Sequence, residues 1–180
     1  GPRGARKFLV EDLELLRREV AGRYPGVPYF LLGHSMGSFI ARLYARRFGG
    51  SLSGLILSGT AGRNLAAGAG KVLARGVALA KGDRYISDTV YDMANGSFRR
   101  AIPESKTPVD WLSKDPEVCA AYLRDPQCAF KFTVSAYYEL FCMLEECNSG
   151  QWYHEMPKRL PVYIFSGGQD PVGAMGAGPR

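Results

Sequence analysis

A chain of 180 residues with 46% hydrophobic content has material for one sizeable core, and its longest apolar run, Leu65 to Ala80, is broken by Lys71 and Arg75, which excludes it as a membrane span. The net charge is +6, and residues 1 to 50 alone hold nine Lys or Arg against four Asp or Glu. These cations flank amphipathic helices rather than forming a block, and no aromatic and basic interleaving or zinc spacing accompanies them, so no nucleic-acid partner is expected and a weak contact with an anionic membrane surface is the most the excess suggests.

In chain order, residues 1 to 7 carry no core signal and read as a frayed start, with nothing of a signal peptide about them. From Phe8 to Ala21 an amphipathic helix is expected, with Leu9, Leu13, Leu16 and Val20 on its apolar face and Glu11, Asp12, Arg17 and Arg18 largely opposite, ended by Gly22 and Pro25. Val27 to Leu32 is a continuous apolar run, the pattern of a parallel strand covered on both faces. Then comes Gly33-His34-Ser35-Met36-Gly37-Ser38, and directly after it a helical pattern with Phe39, Ile40, Leu43 and Tyr44 on one side. Strand, sharp turn and helix around a serine bracketed by glycines is the context of a G-x-S-x-G elbow, in which a strained turn lifts Oγ above a sheet and only small neighbours leave room. Ser35 is therefore the candidate nucleophile, and the Met36 backbone N–H, free at the start of a helix, is the first candidate oxyanion donor. Phe48-Gly49-Gly50 stops the helix, and Leu52 to Ser58 gives a second buried strand. Such a parallel sheet binds ligands beyond the carboxyl ends of its strands, where Ser35 sits.

From Gly62 the composition turns helical, with no convincing strand until Pro161. Helices are expected over Lys71 to Ala80, Asp83 to Ala94 and Thr133 to Glu146, and Asp115-Pro116 and Asp125-Pro126 place a capping residue and a proline where helices begin. Asn95-Gly96-Ser97 matches a glycosylation acceptor formally and reads as a turn. Phe130, Phe132, Tyr137, Tyr138, Phe141 and Met143 either line a lipophilic pocket or pack as plain core. Helices inserted between two strands of one sheet read as a cap, which divides the chain into a core part at 1 to 62, a cap at 63 to 151 and a second core part at 152 to 180. Pro161 to Phe165 returns to strand character, and Asp170, just past its carboxyl end, stands where an acid that orients a catalytic histidine belongs. The rival reading has Asp170 opening a turn before Pro171. The other place for such an acid, Ser58-Gly59-Thr60, holds no carboxylate.

The elbow, the stretch Trp111-Leu112-Ser113-Lys114-Asp115-Pro116-Glu117-Val118 and the segment Ser166-Gly167-Gly168-Gln169-Asp170-Pro171-Val172-Gly173 together resemble the α/β-hydrolase superfamily, in its monoacylglycerol lipase and lysophospholipase-like branch with serine aminopeptidase-type members. The resemblance implies a partial α/β-hydrolase fold: a parallel sheet of about three strands, flanked by helices, with the helical cap shaping a substrate pocket. It also implies a serine hydrolase of carboxylic esters, monoacylglycerol or lysophospholipid, working through an acyl-enzyme on Ser35 with Asp170 behind a histidine and no metal or organic cofactor.

The base is the missing part. His34 neighbours Ser35 but leaves the strand on another face, where packing is the expected role, and His154 precedes the last strand although the fold's order is serine, acid, histidine. A chain that is a fragment, lacking the histidine loop and the strand with the second oxyanion donor, is expected over one that uses His154 from an unusual place. The alternatives are an aminopeptidase-type amide hydrolase, for which Glu139, Glu145 or Glu146 would have to hold a free amine, and a non-catalytic hydrolase-fold binding protein. Four cysteines, Cys119, Cys128, Cys142 and Cys147, show no C-x-x-C pair, so reduced thiols and a cytoplasmic setting are expected.

Overall fold

Three short apolar runs build the sheet in the computed structural model, which describes residues 4–64 and 66–175. They are β1 (Phe30–His34), β2 (Gly54–Ser58) and β3 (Val162–Phe165), all parallel in the order β1-β2-β3, with Leu31 opposite Leu55 and Leu55 opposite Val162. Parallel neighbours need crossover connections. The first is helix α2 (Met36–Phe48), which ends in a 3₁₀ turn at Gly49–Ser51. The second is the long helical stretch α3 (Ala66–Lys81), α4 (Asp88–Arg100), α5 (Pro116–Arg124), α6 (Val134–Cys147) and α7 (Gly150–Glu155). Helix α1 (Ala5–Arg23) precedes β1 and packs on α2. No helix of the described residues is long and apolar enough to cross a membrane.

Alternation decides which side of the sheet is covered. Leu31, Leu55 and Leu57 point at α2 and are buried, whereas Phe30 and Leu32 are 60% and 59% exposed and all four residues of β3 are exposed. The strand predicted over Val27 to Leu32 is thus shifted to Phe30–His34 and, among the described residues, covered on one face only, because α2 is the helix lying on it and α1 and α6 stack behind α2. Helix α6 joins two cores: Met143 and Cys147 pack with Leu31, Leu55 and Phe39, while Val134, Tyr137 and Phe141 pack with Ala67, Ala74 and Val90 of α3 and α4. Small residues on α3 allow this, since a Cβ at Gly70 would come within 2.5 Å of the Phe141 ring.

Capping chemistry marks most helix starts. The side chains of Ser87, Asp115, Thr133 and Ser149 accept from backbone N–H groups of α4, α5, α6 and α7, and Pro116 takes the first turn of α5. Three expectations are corrected here. Asp125-Pro126 begins no helix: Asp125 closes α5, its carboxylate accepting the Gln127 N–H at 2.8 Å in a turn. Asn95-Gly96-Ser97 lies inside α4, which runs on to Arg100, and is not a turn. In α1 the buried side is Val10 and Glu14, with Leu9 and Leu16 exposed. The helix is rolled because Glu14 is a polar anchor: its carboxylate accepts from Tyr44 at 2.6 Å, Arg17 at 2.9 Å and Arg18 at 2.7 Å. The glycine-rich end, Gly173 to Arg180, lies outside the described residues from position 176 onward.

Two predictions come from this packing. A Cβ at Gly33 would stand 2.5 Å from the Gly37 carbonyl oxygen and 2.8 Å from the Ala41 Cβ. Gly33→Ala should cost roughly 1–3 kcal/mol or more and lower the thermal midpoint by several degrees, whereas Gly50→Ala, which meets nothing within 4 Å, should leave it in place. The second concerns Glu14, whose hydrogen bond from Arg17, helped by Tyr44 and Arg18 and opposed by burial, holds its pKa at about 2 against an ordinary 4.5. A depressed folded pKa contributes stability in full above about pH 4.5 and loses it as the pH falls towards 2. Urea midpoints measured across that window should fall less steeply for Glu14→Gln than for the native chain, from a lower starting value at pH 7.

Candidate active site

The elbow is present as a local strain. β1 ends at His34, α2 begins at Met36, and Ser35 between them adopts φ 50° and ψ −123°, a left-handed conformation that costs a non-glycine residue of order 1–3 kcal/mol. It is held from both sides: its N–H donates to the Ser58 carbonyl at 3.0 Å, and its carbonyl accepts from the Ser38 N–H at 2.9 Å and the Ser38 hydroxyl at 2.5 Å. The Ser35 side chain is exposed at the carboxyl end of the sheet. Of the two bracketing glycines, Gly33 is required by the close approach of strand and helix, while a Cβ at Gly37 meets nothing within 4 Å. The expectation that both leave room therefore holds for Gly33 alone among the described residues. Met36 is half-buried as the first residue of α2, whose opening N–H groups have no partner within the helix.

Two cavities meet at Ser35. The larger, about 1590 Å³, is lined by Ser35 and Met36 together with Phe98, Trp111, Phe132 and Phe141. Phe130 and Tyr137 also line it, but Tyr138 and Met143 do not, and Met143 is buried against the sheet instead. The smaller, about 750 Å³, is bounded by His34, Ser35, Gly59, Trp111, Lys114 and Asp170. Trp111 and Leu112 line both, as do Ser35, Ala101 and Val172.

Asp170 is brought to this second cavity by the loop after β3. Its Oδ1 accepts the Val172 N–H at 2.9 Å and its Oδ2 accepts from the Ser166 hydroxyl at 2.9 Å. The carboxylate thus does open the turn, as the rival reading had it, and it lines the same cavity as Ser35. Gly59 makes the approach possible: at φ +55° it leaves β2, and a Cβ there would lie 3.3 Å from Asp170 Oδ2 and 3.4 Å from His34 Cε1. His34 is exposed rather than packed, and its Nδ1 shares a hydrogen bond of 3.0 Å with Ser58 Oγ. His154 lies on α7 and lines neither cavity.

Three glutamates of α6 turn away from the site. Glu139 is buried and binds Arg6 at 2.9 Å and the Gly4 N–H at 2.7 Å, Glu146 binds Arg6 at 2.8 Å, and Glu145 pairs with Lys71. None of the three lines either cavity, and each is held in an ion pair instead of being left to hold a free amine.

Gly59, Ser166, and the buried group of Ser38, Thr60 and Arg42 behind the elbow were not singled out from the sequence. The only signals for them were the glycine after a strand and hydroxyls at element ends.

Residues 4–179 match the family model described as serine aminopeptidase, S33. The chain is 38% identical over 117 residues to a monoacylglycerol lipase of Mycolicibacterium smegmatis, covering 65% of this chain and 36% of that protein. It is 30% identical over 128 residues to a monoglyceride lipase of Homo sapiens, covering 66% and 40%. It also superimposes on a thermostable carboxyl esterase from Bacillus coagulans with a TM-score of 0.88 and 35% identity, over 98% of this chain and 57% of the esterase. The chain thus spans well under two thirds of the length of each of these relatives. Matched along nearly all of its own length, with a parallel sheet, a strained serine elbow and helices between the second and third strands, the chain belongs to the serine aminopeptidase S33 family and holds part of an α/β-hydrolase fold.

Proposed function

We propose that the whole protein is a serine hydrolase of carboxylic esters, of the monoacylglycerol or lysophospholipid type, with Ser35 as nucleophile. One observation carries this reading: a serine in a strained left-handed conformation, exposed where an aromatic-lined cavity meets a cavity bearing a carboxylate. Strain of this kind persists where the surroundings over-determine it, and it gathers at active sites. The names of the relatives, two of them lipases of monoacylglycerols, support the same substrate class.

In this mechanism Ser35 Oγ attacks the ester carbonyl carbon while a histidine takes its proton. The tetrahedral oxyanion is met by the Met36 N–H and a second donor. Collapse breaks the bond to the alkoxide, which leaves with the proton from the histidine, and water repeats the sequence on the acyl-enzyme. Asp170, fixed by Ser166 and Val172, orients the histidine. That histidine is assigned to polypeptide outside these 180 residues, because His154 lines neither cavity and His34, although it lines the smaller one, has its Nδ1 engaged with Ser58 Oγ. The larger cavity suits the acyl chain by its size and by the rings of Phe98, Phe130, Phe132 and Phe141 that line it, and residues 63 to 151 act as the cap that walls it. The orientation of Glu139, Glu145 and Glu146 away from both cavities favours ester over amine-bearing peptide substrates. Four cysteines held as free thiols fit a reducing, cytoplasmic setting.

A fluorophosphonate probe should label Ser35 in the whole protein. Ser35→Ala should abolish labelling and lower p-nitrophenyl butyrate hydrolysis by at least about 10³-fold, and Asp170→Asn should lower kcat on the order of 10⁴-fold with the thermal midpoint little changed. A folded protein that takes no label would instead be the non-catalytic binding protein.

A further inference from the structure

Arg42 is a buried cation for which the mechanism above has no use. It lies on α2, is 2% exposed, and among the described residues all its hydrogen-bond acceptors are neutral. Nη2 donates to the Cys147 carbonyl at 2.5 Å and to Asn148 Oδ1 at 3.1 Å, Nη1 donates to the Ala61 carbonyl at 3.1 Å and to Thr60 Oγ1 at 3.4 Å, and the guanidinium lies 4.6 Å from the centre of the Trp152 ring. Burying a charge without a counter-ion is expensive, and part of the compensation comes from the carbonyl end of α6, the negative pole of that helix.

The remaining contact leads to the nucleophile. Thr60 Oγ1 is 2.7 Å from Ser38 Oγ, which is 2.5 Å from the Ser35 carbonyl oxygen, and Ser38 and Thr60 are 0% and 2% exposed. The direction of this chain is fixed by elementary proton counting. A hydroxyl 2.5 Å from a carbonyl oxygen must place its proton between them, so Ser38 donates to Ser35. Ser38 then has only lone pairs for Thr60, so Thr60 donates to Ser38. Guanidinium only donates, so Thr60 accepts from Arg42. Charge therefore propagates one way, from Arg42 through two hydroxyls to the Ser35 carbonyl, each bond polarising the next.

The Ser35 carbonyl and the Met36 N–H are the two ends of one planar trans peptide. Fixing the oxygen fixes the direction of the N–H, and drawing electrons towards the oxygen makes the N–H a stronger donor. We infer that Arg42, through Thr60 and Ser38, is a positioning residue that aims the Met36 N–H at the oxyanion of the tetrahedral intermediate. This rests on the reading of Ser35 as nucleophile given above. Since the Ser35 carbonyl keeps the Ser38 N–H at 2.9 Å, loss of the relay softens the peptide without undoing the elbow.

The test uses the whole protein with Thr60→Val, Thr60→Ser and Ser38→Ala, active sites being counted with the fluorophosphonate so that only folded, reactive Ser35 enters kcat. Thr60→Val should lower kcat for p-nitrophenyl butyrate about tenfold, a fraction of what a whole oxyanion donor supplies, with KM within about twofold. A trifluoromethyl ketone, which adds the serine as a tetrahedral oxyanion, should bind more weakly by the same factor. Thr60→Ser should restore both, and Ser38→Ala, which leaves Arg42 every partner, should reproduce both should Thr60→Val fold poorly. Unchanged kcat per titrated site, a kcat loss without the matching loss of ketone affinity, or no rescue by Thr60→Ser would overturn the inference. Ser35→Ala separates the two levels: if it is inactive while Thr60→Val and Ser38→Ala are normal, the relay alone falls, and if it hydrolyses the ester, the nucleophile assignment falls and takes the relay with it.

Discussion

Strand β1 and helix α2 cross so closely at Gly33 that the position has no room for a side chain, its missing Cβ being 2.5 Å from the Gly37 carbonyl oxygen. That crossing sets the geometry of everything above the sheet. The chain has one residue in which to turn from strand to helix, and that residue, Ser35, absorbs the turn by taking φ 50°. Because the turn is so short, the N-terminus of α2 opens at the same point, with its partial positive charge beside the serine. The neighbouring strand reinforces this, since the Ser58 carbonyl at the end of β2 receives the Ser35 N–H. Gly59 then lets the loop after β3 come in alongside, so that the ends of three strands and one helix converge on a single spot.

Helix α6 determines how the helices between β2 and β3 sit on this base. It packs one side on the sheet core and the other on α3 and α4, so it cannot move without disturbing both. Charge secures the same arrangement from outside. Arg6 reaches Glu139 and Glu146, Arg46 reaches Glu146 at 3.8 Å and Glu155 at 3.4 Å, and Arg47 reaches Glu11 at 2.9 Å. The exposed one among them, Arg47–Glu11, contributes little. Their use is orientation: they tie α1 and α2 to α6 and α7, and they occupy many of the cations in the basic first fifty residues with intramolecular partners.

The parts legible in the sequence were those written in short-range chemistry. The strand–serine–helix turn at Ser35 could be read from its neighbours because strand, glycine, serine and helix are contiguous, and Asp115-Pro116 and Thr133 could be read as helix starts because a cap is a contact over two or three residues. Asp125-Pro126 has the same letters and begins no helix, since the turn that its carboxylate makes with Gln127 uses the same local hydrogen bond as a cap. The face of α1 was misread for another reason: periodicity sorts apolar from charged, and Glu14 is a charged residue whose partner, Tyr44, is thirty positions away. Likewise Arg42 looks like one of three basic residues on a helix, and only the fold brings Cys147, Asn148 and Trp152 around it. The single-sided cover of the sheet was hidden too, because an apolar run records what a strand tolerates on each face and not which helix reaches it.

The strain at Ser35 has a direction of inference. A glycine at this position would adopt φ 50° without penalty, and an exposed side chain contributes no packing that a glycine would forfeit. Stability alone therefore disfavours the serine by about a kcal/mol or more. The surroundings are built to hold it nonetheless: one bond on its N–H, two on its carbonyl, and a strand-helix crossing that admits no slack. Three constraints on one residue exceed what a turn needs. They fix the Ser35 hydroxyl where the two cavities meet, which is the placement that the proposed nucleophile requires.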